Sequence, residues 1–275
     1  MSRLPFLTFV VCVAFVTVID AQQRPLVTED PQVIGRGRLL IEAGIETGSG
    51  VFYPVSGLTG DRLAVPIGIS LGLGDVAELQ IDSGYQSLSV QRRDAAPLSG
   101  RVREGDRLSD VLDVVLATKI NVVSEGPRRP AFALRLATQL PNASNESGLG
   151  HDTLNFIGTV LGGKTTGSTR IVGNAGIAVL SDVIEGSRQQ DAFLGSVSVA
   201  HALTNALEVV GELATQRVLF ADVPPIGAEP HGNLRGAVRF TQGSWRVDAG
   251  LIVGLTRQDP DYGFTAGLTW VGQVR

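Results

Sequence analysis

Glu42-Ala43-Gly44-Ile45-Glu46 puts its charges on one parity and its aliphatic side chains on the other. Successive side chains of a β-strand point to opposite faces, so this stretch makes a ribbon with one wet face and one oily face. The alternation recurs in runs near 38–47, 63–72, 77–87, 111–123, 131–140 and 154–162. It continues near 170–180, 193–203, 207–217, 234–242, 245–256 and 262–271. Most of these runs exceed the usual soluble strand and suit a tilted strand crossing a bilayer. Helical spacing is weak, and the pattern predicts an all-β antiparallel up-and-down transmembrane β-barrel of about 12 strands.

The gaps between runs are sorted by length. Long gaps at 48–61, 88–110, 141–153, 181–192 and 218–233 alternate with shorter ones at 73–76, 124–130, 163–169, 204–206 and 243–244, and 257–261 closes the series. Outer-membrane barrels have short periplasmic turns and longer outer loops. A soluble sandwich has no reason to sort its loops this way. Twelve strands then place both chain ends on the side of the short turns.

Upstream of the first run, Arg3 precedes an apolar stretch from Leu4 to Ile19, and Ala21 is a small residue suited to a cleavage site. The expected organisation is an export signal at 1–21 and a barrel at 22–275. The one cysteine, Cys12, falls in the signal, so the mature chain has no thiol for a disulfide or a thiolate metal site. A formal net charge of −4 gives no electrostatic case for nucleic acid. The charged fraction, 18%, is below the usual quarter, as expected where much surface meets lipid.

Parity assigns the two faces. In the last three runs Leu234, Val238, Phe240, Val247, Leu251, Val253, Tyr262, Phe264, Leu268 and Trp270 share the apolar parity. Arg235, Arg239, Arg246 and Asp248 lie on the opposite one. A charge at the lipid midplane costs a few kcal/mol, so the charged parity faces inward. The same argument puts Glu42, Glu46, Glu78, Gln80, Asp82, Asp113, Lys119, Arg135, Glu208 and Glu212 in the lumen. Glu208 and Glu212 are expected opposite Arg235 and Arg239, either as a constriction that selects solutes or as pairs that neutralise one another.

The opening of the mature chain, Arg24-Pro25-Leu26-Val27-Thr28-Glu29-Asp30, followed by the strand with Glu42 and Gly44, resembles the MetA-pathway of phenol degradation family of outer-membrane proteins. Leu140-Pro141 with Gly148-Leu149-Gly150-His151-Asp152, and the tail from Tyr262 to Trp270, are similar to further segments of that family. The resemblance implies a barrel that moves small organic compounds, often hydrophobic or aromatic, across the outer membrane of a Gram-negative bacterium. One departure is that the chain continues past Trp270 to Val274-Arg275, whereas such barrels usually end on an aromatic residue.

No cofactor, metal or catalytic motif stands out. Gly72-Leu73-Gly74-Asp75-Val76-Ala77 matches a dinucleotide-type glycine pattern, but strand alternation follows it where a helix is required, so a hairpin turn is the reading. The loop acids Asp61, Asp106, Asp110, Asp152 and Asp182 lack the spacing of a calcium site. His151 and His231 fall in long gaps. His201 lies near the periplasmic end of a strand on the outward parity, where an outer-membrane lipid hydrolase could use it, but no serine partner can be assigned.

Eight strands leave an interior filled by side chains and sixteen leave an aqueous channel. Twelve predict a narrow or partly plugged pore, with 48–61 and 88–110 as the expected inward-folding loops. The leading expectation is a passive channel for small organic solutes, with outer-membrane lipid and the barrel-assembly machinery as its other partners. A non-conducting structural or surface-interaction barrel is the first alternative, and an outer-membrane lipid hydrolase is the second.

Overall fold

The computed structural model describes residues 24–98, 100, 102–186, 188–221 and 223–274. The expected export signal lies outside them. Twelve antiparallel strands close into one barrel: β1 (Arg38–Tyr53), β2 (Leu58–Gly72), β3 (Ala77–Arg93), β4 (Arg107–Val123), β5 (Ala131–Gln139) and β6 (Asn155–Thr166). The second half is β7 (Thr169–Ser181), β8 (Gln189–Ala202), β9 (Leu207–Val218), β10 (His231–Gln242), β11 (Trp245–Gly254) and β12 (Tyr262–Gln273). Each strand pairs with its sequence neighbours and β1 closes on β12. The closed wall therefore satisfies its backbone groups without a free edge, as lipid requires.

Strand number and parity agree with the sequence reading, and the boundaries differ at the outer end. The gap expected at 48–61 is mostly strand, because β1 and β2 run on to Tyr53 and from Leu58 and leave only 54–57 as a turn. The gap at 88–110 shrinks in the same way to 94–106, so Asp61 and Asp110 are strand residues and not loop acids. Above the lipid both faces of a strand meet water or other loops, the parity signal disappears, and the strand reads as a polar gap. Gly57 holds the β1–β2 turn at φ +71, and a Cβ there would collide with the carbonyl oxygen of Asp94. Residues 73–76 form the hairpin between β2 and β3, which disposes of the dinucleotide pattern.

The outer wall is an apolar band. Ile41, Ile45, Ile67, Ile69, Leu79, Ile81, Leu136, Phe156, Val247 and Leu251 all project outward and are exposed. At the short-turn end Trp245 pairs across the β11–β12 ladder with Trp270, ring centroids 6.3 Å apart, and Tyr262 is exposed at the opposite end of β12. These rings stand where the aromatic girdles of membrane barrels stand.

Candidate functional site

The interior is occupied by the stretch before β1. Residues 24–34 have no strand pattern, and their side chains and backbone reach inward-facing residues nearly all the way round the barrel. Ile34 packs on Leu40 and Val271 near the short-turn end, and its N–H donates to Glu78 Oε2 at 2.7 Å. The Pro31 carbonyl accepts from Asn121 Nδ2 at 2.9 Å. Asp30 takes a two-pronged bond from the Arg170 guanidinium. The Asn174 amide brackets Glu29, accepting from its N–H and donating to its carbonyl, both at 2.9 Å. Leu26 enters a niche of small side chains, Ala200, Val210 and Ala237, on β8 to β10.

Two ionic clusters hold this plug. In the first, Lys119 is fully buried between Glu29 at 3.1 Å and Glu78 at 3.0 Å, and Arg135 reaches Glu29 at 2.7 Å and Asp82 at 3.6 Å. Gln80 donates to Glu29 and to Glu78, and accepts from Arg135. Buried charges are tolerable only when paired and hydrogen-bonded this fully. In the second cluster, β9 and β10 align Glu212 with Arg235 and Glu208 with Arg239, as parity predicted. Arg239 pairs with Glu208 at 3.2 Å, whereas Arg235 lies 3.7 Å from Glu212 and 3.0 Å from Glu46 across the lumen. Both arginines also donate to plug carbonyls, Arg235 to Pro25 and Arg239 to Arg24, each at 3.1 Å. The Glu212 carboxylate accepts from the N–H groups of Val27 and Thr28, so it acts chiefly as a clamp on the plug backbone.

Arg24 completes the ring. Its Nη2 donates to the Ala266 carbonyl at 2.9 Å and to Thr265 Oγ1 at 3.0 Å, and lies 3.5 Å from Asp248. Its backbone N–H points to Glu42 Oε1 at 3.4 Å, and Glu42 also accepts from Thr269. The guanidinium lies against Gly44 and Gly267, which face each other across the β1–β12 seam, and a Cβ on either would overlap it. The Arg24-Pro25-Leu26 and Glu42-x-Gly44 segments singled out in the sequence therefore meet in space.

The remaining candidates sit elsewhere. Arg246 is buried near the β10–β11 turn and donates to Thr241 Oγ1. Asp113 lies beside the register shift between β3 and β4 and binds Gln139 and the N–H groups of Asn142 and Ala143, fastening the loop at 140–154 rather than joining the ring. Asp106 and Asp182 cap backbone N–H groups in their own turns. His201 is exposed on β8 opposite Thr169, whose Oγ1 is 2.9 Å from its Nδ1; that partner is a threonine and not a serine. Among the described residues no group of three or more His, Cys, Asp or Glu is arranged to hold a metal ion.

The outer mouth is covered as well. The turn at 54–57 tucks in, with Ser56 Oγ donating to the Gly148 carbonyl at 2.7 Å and the Leu98 N–H donating to Val55. Leu58, Leu88, Val90 and Leu149 form a small apolar core beneath it. The tip of the first expected lid thus does fold inward, but the lumen itself is filled by the N-terminal segment, which the sequence reading did not assign to it. Arg24, Glu29, Asp30, Arg170 and Asn174 were all missed. The available signal was a charged, proline-containing stretch without alternation, together with inward charges such as Glu42 and Arg170 that face no opposite charge on the neighbouring strands. Between plug and wall remains a cavity of about 220 Å³, lined by Val27, Glu29, Ile157, Leu161, Asn174 and Leu194 among others.

A closed antiparallel barrel with an apolar outer band and a polar, plugged lumen defines the outer-membrane barrel class. No family model matches the sequence, and no curated protein matches it. Among solved structures the chain is similar to an outer membrane channel from Pseudomonas putida F1, with a TM-score of 0.63 at 11% identity over 88% of this chain and 98% of that one. It is also similar to the NanC porin, with a TM-score of 0.53 at 8% identity over 86% of this chain and 100% of that one. At these identities the likeness establishes the shared fold.

Proposed function

We propose that this protein is a passive outer-membrane channel for small organic solutes, held shut by its own N-terminal segment. The observation that carries the reading is that the obstruction is not part of the wall. Residues 24–34 belong to no strand, and apart from a few small apolar contacts they are held by ion pairs and hydrogen bonds that water can replace. A barrel built only as a rigid support would be expected to fill its interior from its own strands, as eight-stranded barrels do.

Glu42, Glu46, Glu78, Lys119, Arg135, Glu208, Glu212, Arg235, Arg239 and Asp248 then serve as seats for the plug while it is in and as the charged lining of the pore once it leaves. The cavity of about 220 Å³ beside Val27, lined by Ile157, Leu161 and Leu194 together with the polar Glu29, Arg135 and Asn174, supports the reading by leaving room for small organic solutes beside the plug. Export through a cleaved signal at 1–21, insertion by the barrel-assembly machinery and residence in a Gram-negative outer membrane complete the proposal.

Planar-bilayer recordings test it. The full mature chain is expected to conduct poorly, and a variant lacking residues 24–34 to conduct steadily with a mixed-charge lumen. If the deletion folds, as judged by a heat-modifiable gel shift, and passes neither ions nor solutes, the non-conducting surface-interaction reading replaces the channel.

A further inference from the structure

A second cavity, of about 610 Å³, lies at the outer rim of β9 and β10. Leu213, Thr215 and Arg217 share the outward parity of β9, and Leu255 projects outward just past β11. The wall between them is low because Gly232 on β10 has no side chain, and Ala221, Pro224 and Pro230 border the space above. Two further observations mark this rim. Phe220 and Val223, beside that border, are 86% and 83% exposed, far more than the residues of the apolar band. Arg217 is exposed, pairs in register with the outward Phe193, and among the described residues has neither an ion-pair nor a hydrogen-bond partner.

A recess that is largely apolar, with Thr215, His231 and Thr256 as polar members of its lining, lies beneath an unpaired guanidinium at the end of β9, and that combination is complementary to one kind of molecule. We propose that this site binds a phosphorylated, acylated lipid of the outer leaflet, with an acyl chain in the recess and a phosphate on Arg217. Guanidinium and phosphate form charge-assisted, often two-pronged bonds, and the exposed Phe220 and Val223 add apolar contact in the interfacial layer. The proposal rests on the outer-membrane placement above, but not on conduction.

The test uses the full chain in detergent and native mass spectrometry with three probes: diphosphorylated lipid A, the same lipid with both phosphates removed, and inorganic phosphate. The wild type is expected to retain lipid A and to hold inorganic phosphate too weakly to detect. Arg217→Gln should reduce lipid A retention at least about tenfold while leaving the dephosphorylated lipid unchanged. Thr215→Trp, which fills the recess from the outer face, should abolish retention of both lipids. Unchanged heat-modifiability of each variant shows that it is folded. Equal retention of lipid A by wild type, Arg217→Gln and Thr215→Trp, or equal retention with and without phosphate by the wild type, would overturn the site. Conductance of the variant lacking residues 24–34 is read separately, so a silent pore with intact lipid binding would sink the channel and spare this proposal.

Discussion

Replacing Glu212 with glutamine should unseat the plug without harming the barrel. The carboxylate accepts the N–H groups of Val27 and Thr28 and stands 3.7 Å from Arg235. A hydrogen bond to a charged group contributes about 1.5–3 kcal/mol. The amide keeps one acceptor oxygen but gives up the charge and turns its NH₂ toward one of the two backbone donors. A loss of about 1.5–3 kcal/mol raises the share of displaced plug roughly 10- to 150-fold. The wall tolerates the change because Arg235 keeps Glu46 at 3.0 Å and the β9–β10 ladder is backbone-paired. Thr28→Cys supplies the reporter: Thr28 is 4% exposed, its Oγ1 is buried without a partner, and the sequence has no cysteine besides Cys12. Reaction of the introduced thiol with a maleimide in detergent should be slow when Glu212 is present and faster by about one to two orders of magnitude in Glu212→Gln. Open-channel bursts in planar bilayers should lengthen in parallel. Equal labelling rates and equal conductance in the two backgrounds would show that this carboxylate does not hold the plug.

Other perturbations follow from the same contacts. Lys119→Met leaves Glu29 and Glu78 buried without their shared cation, and breaking a buried pair in this way costs about 3–5 kcal/mol; the midpoint of the heat-modifiable transition should fall clearly below the wild type. Gly44→Val should displace the Arg24 guanidinium, which is the flexible end of a side chain, so plug labelling rises while the barrel still shows its gel shift; loss of the folded band would refute the idea that Gly44 is needed only for close approach. At the β4–β5 turn, burial alone would raise the Glu125 carboxyl, but the Lys164 ammonium, the Thr165 N–H and the Arg170 guanidinium outweigh it and hold it down at about 2. A depressed carboxyl stabilises the fold fully above its ordinary value of 4.5, and that contribution is lost as pH falls from there through about 2. Thermal unfolding measured between about pH 5 and pH 2 should therefore show a decline that Glu125→Gln flattens.

The two faces were legible residue by residue wherever lipid imposes a rule. Leu251 must be outward and Asp248 inward because hydrocarbon solvates one and not the other, and that selection writes a period of two into the chain. The rule lapses above the membrane. Residues 48–53 of β1 and 88–93 of β3 are strand without a lipid-facing parity to advertise it, and they read as loops. The pairing of Glu208 and Glu212 with Arg239 and Arg235 was also legible, since parity and strand order leave antiparallel neighbours few registers that keep every charge inside.

Sequence alone thus determined a twelve-stranded barrel, which face of its wall is apolar and which strand side chains line its interior, because each of these follows from local alternation and turn length. Only the tertiary structure decided what those side chains do there. Glu29 meets Lys119 of β4 and Arg135 of β5, Asp30 meets Arg170 of β7, and Arg24 lies on glycines of β1 and β12. These partners are scattered along almost the whole chain and come together only when the sheet closes. A segment held by contacts of that kind needs no period of its own, and its place inside the barrel leaves no repeating mark on the sequence.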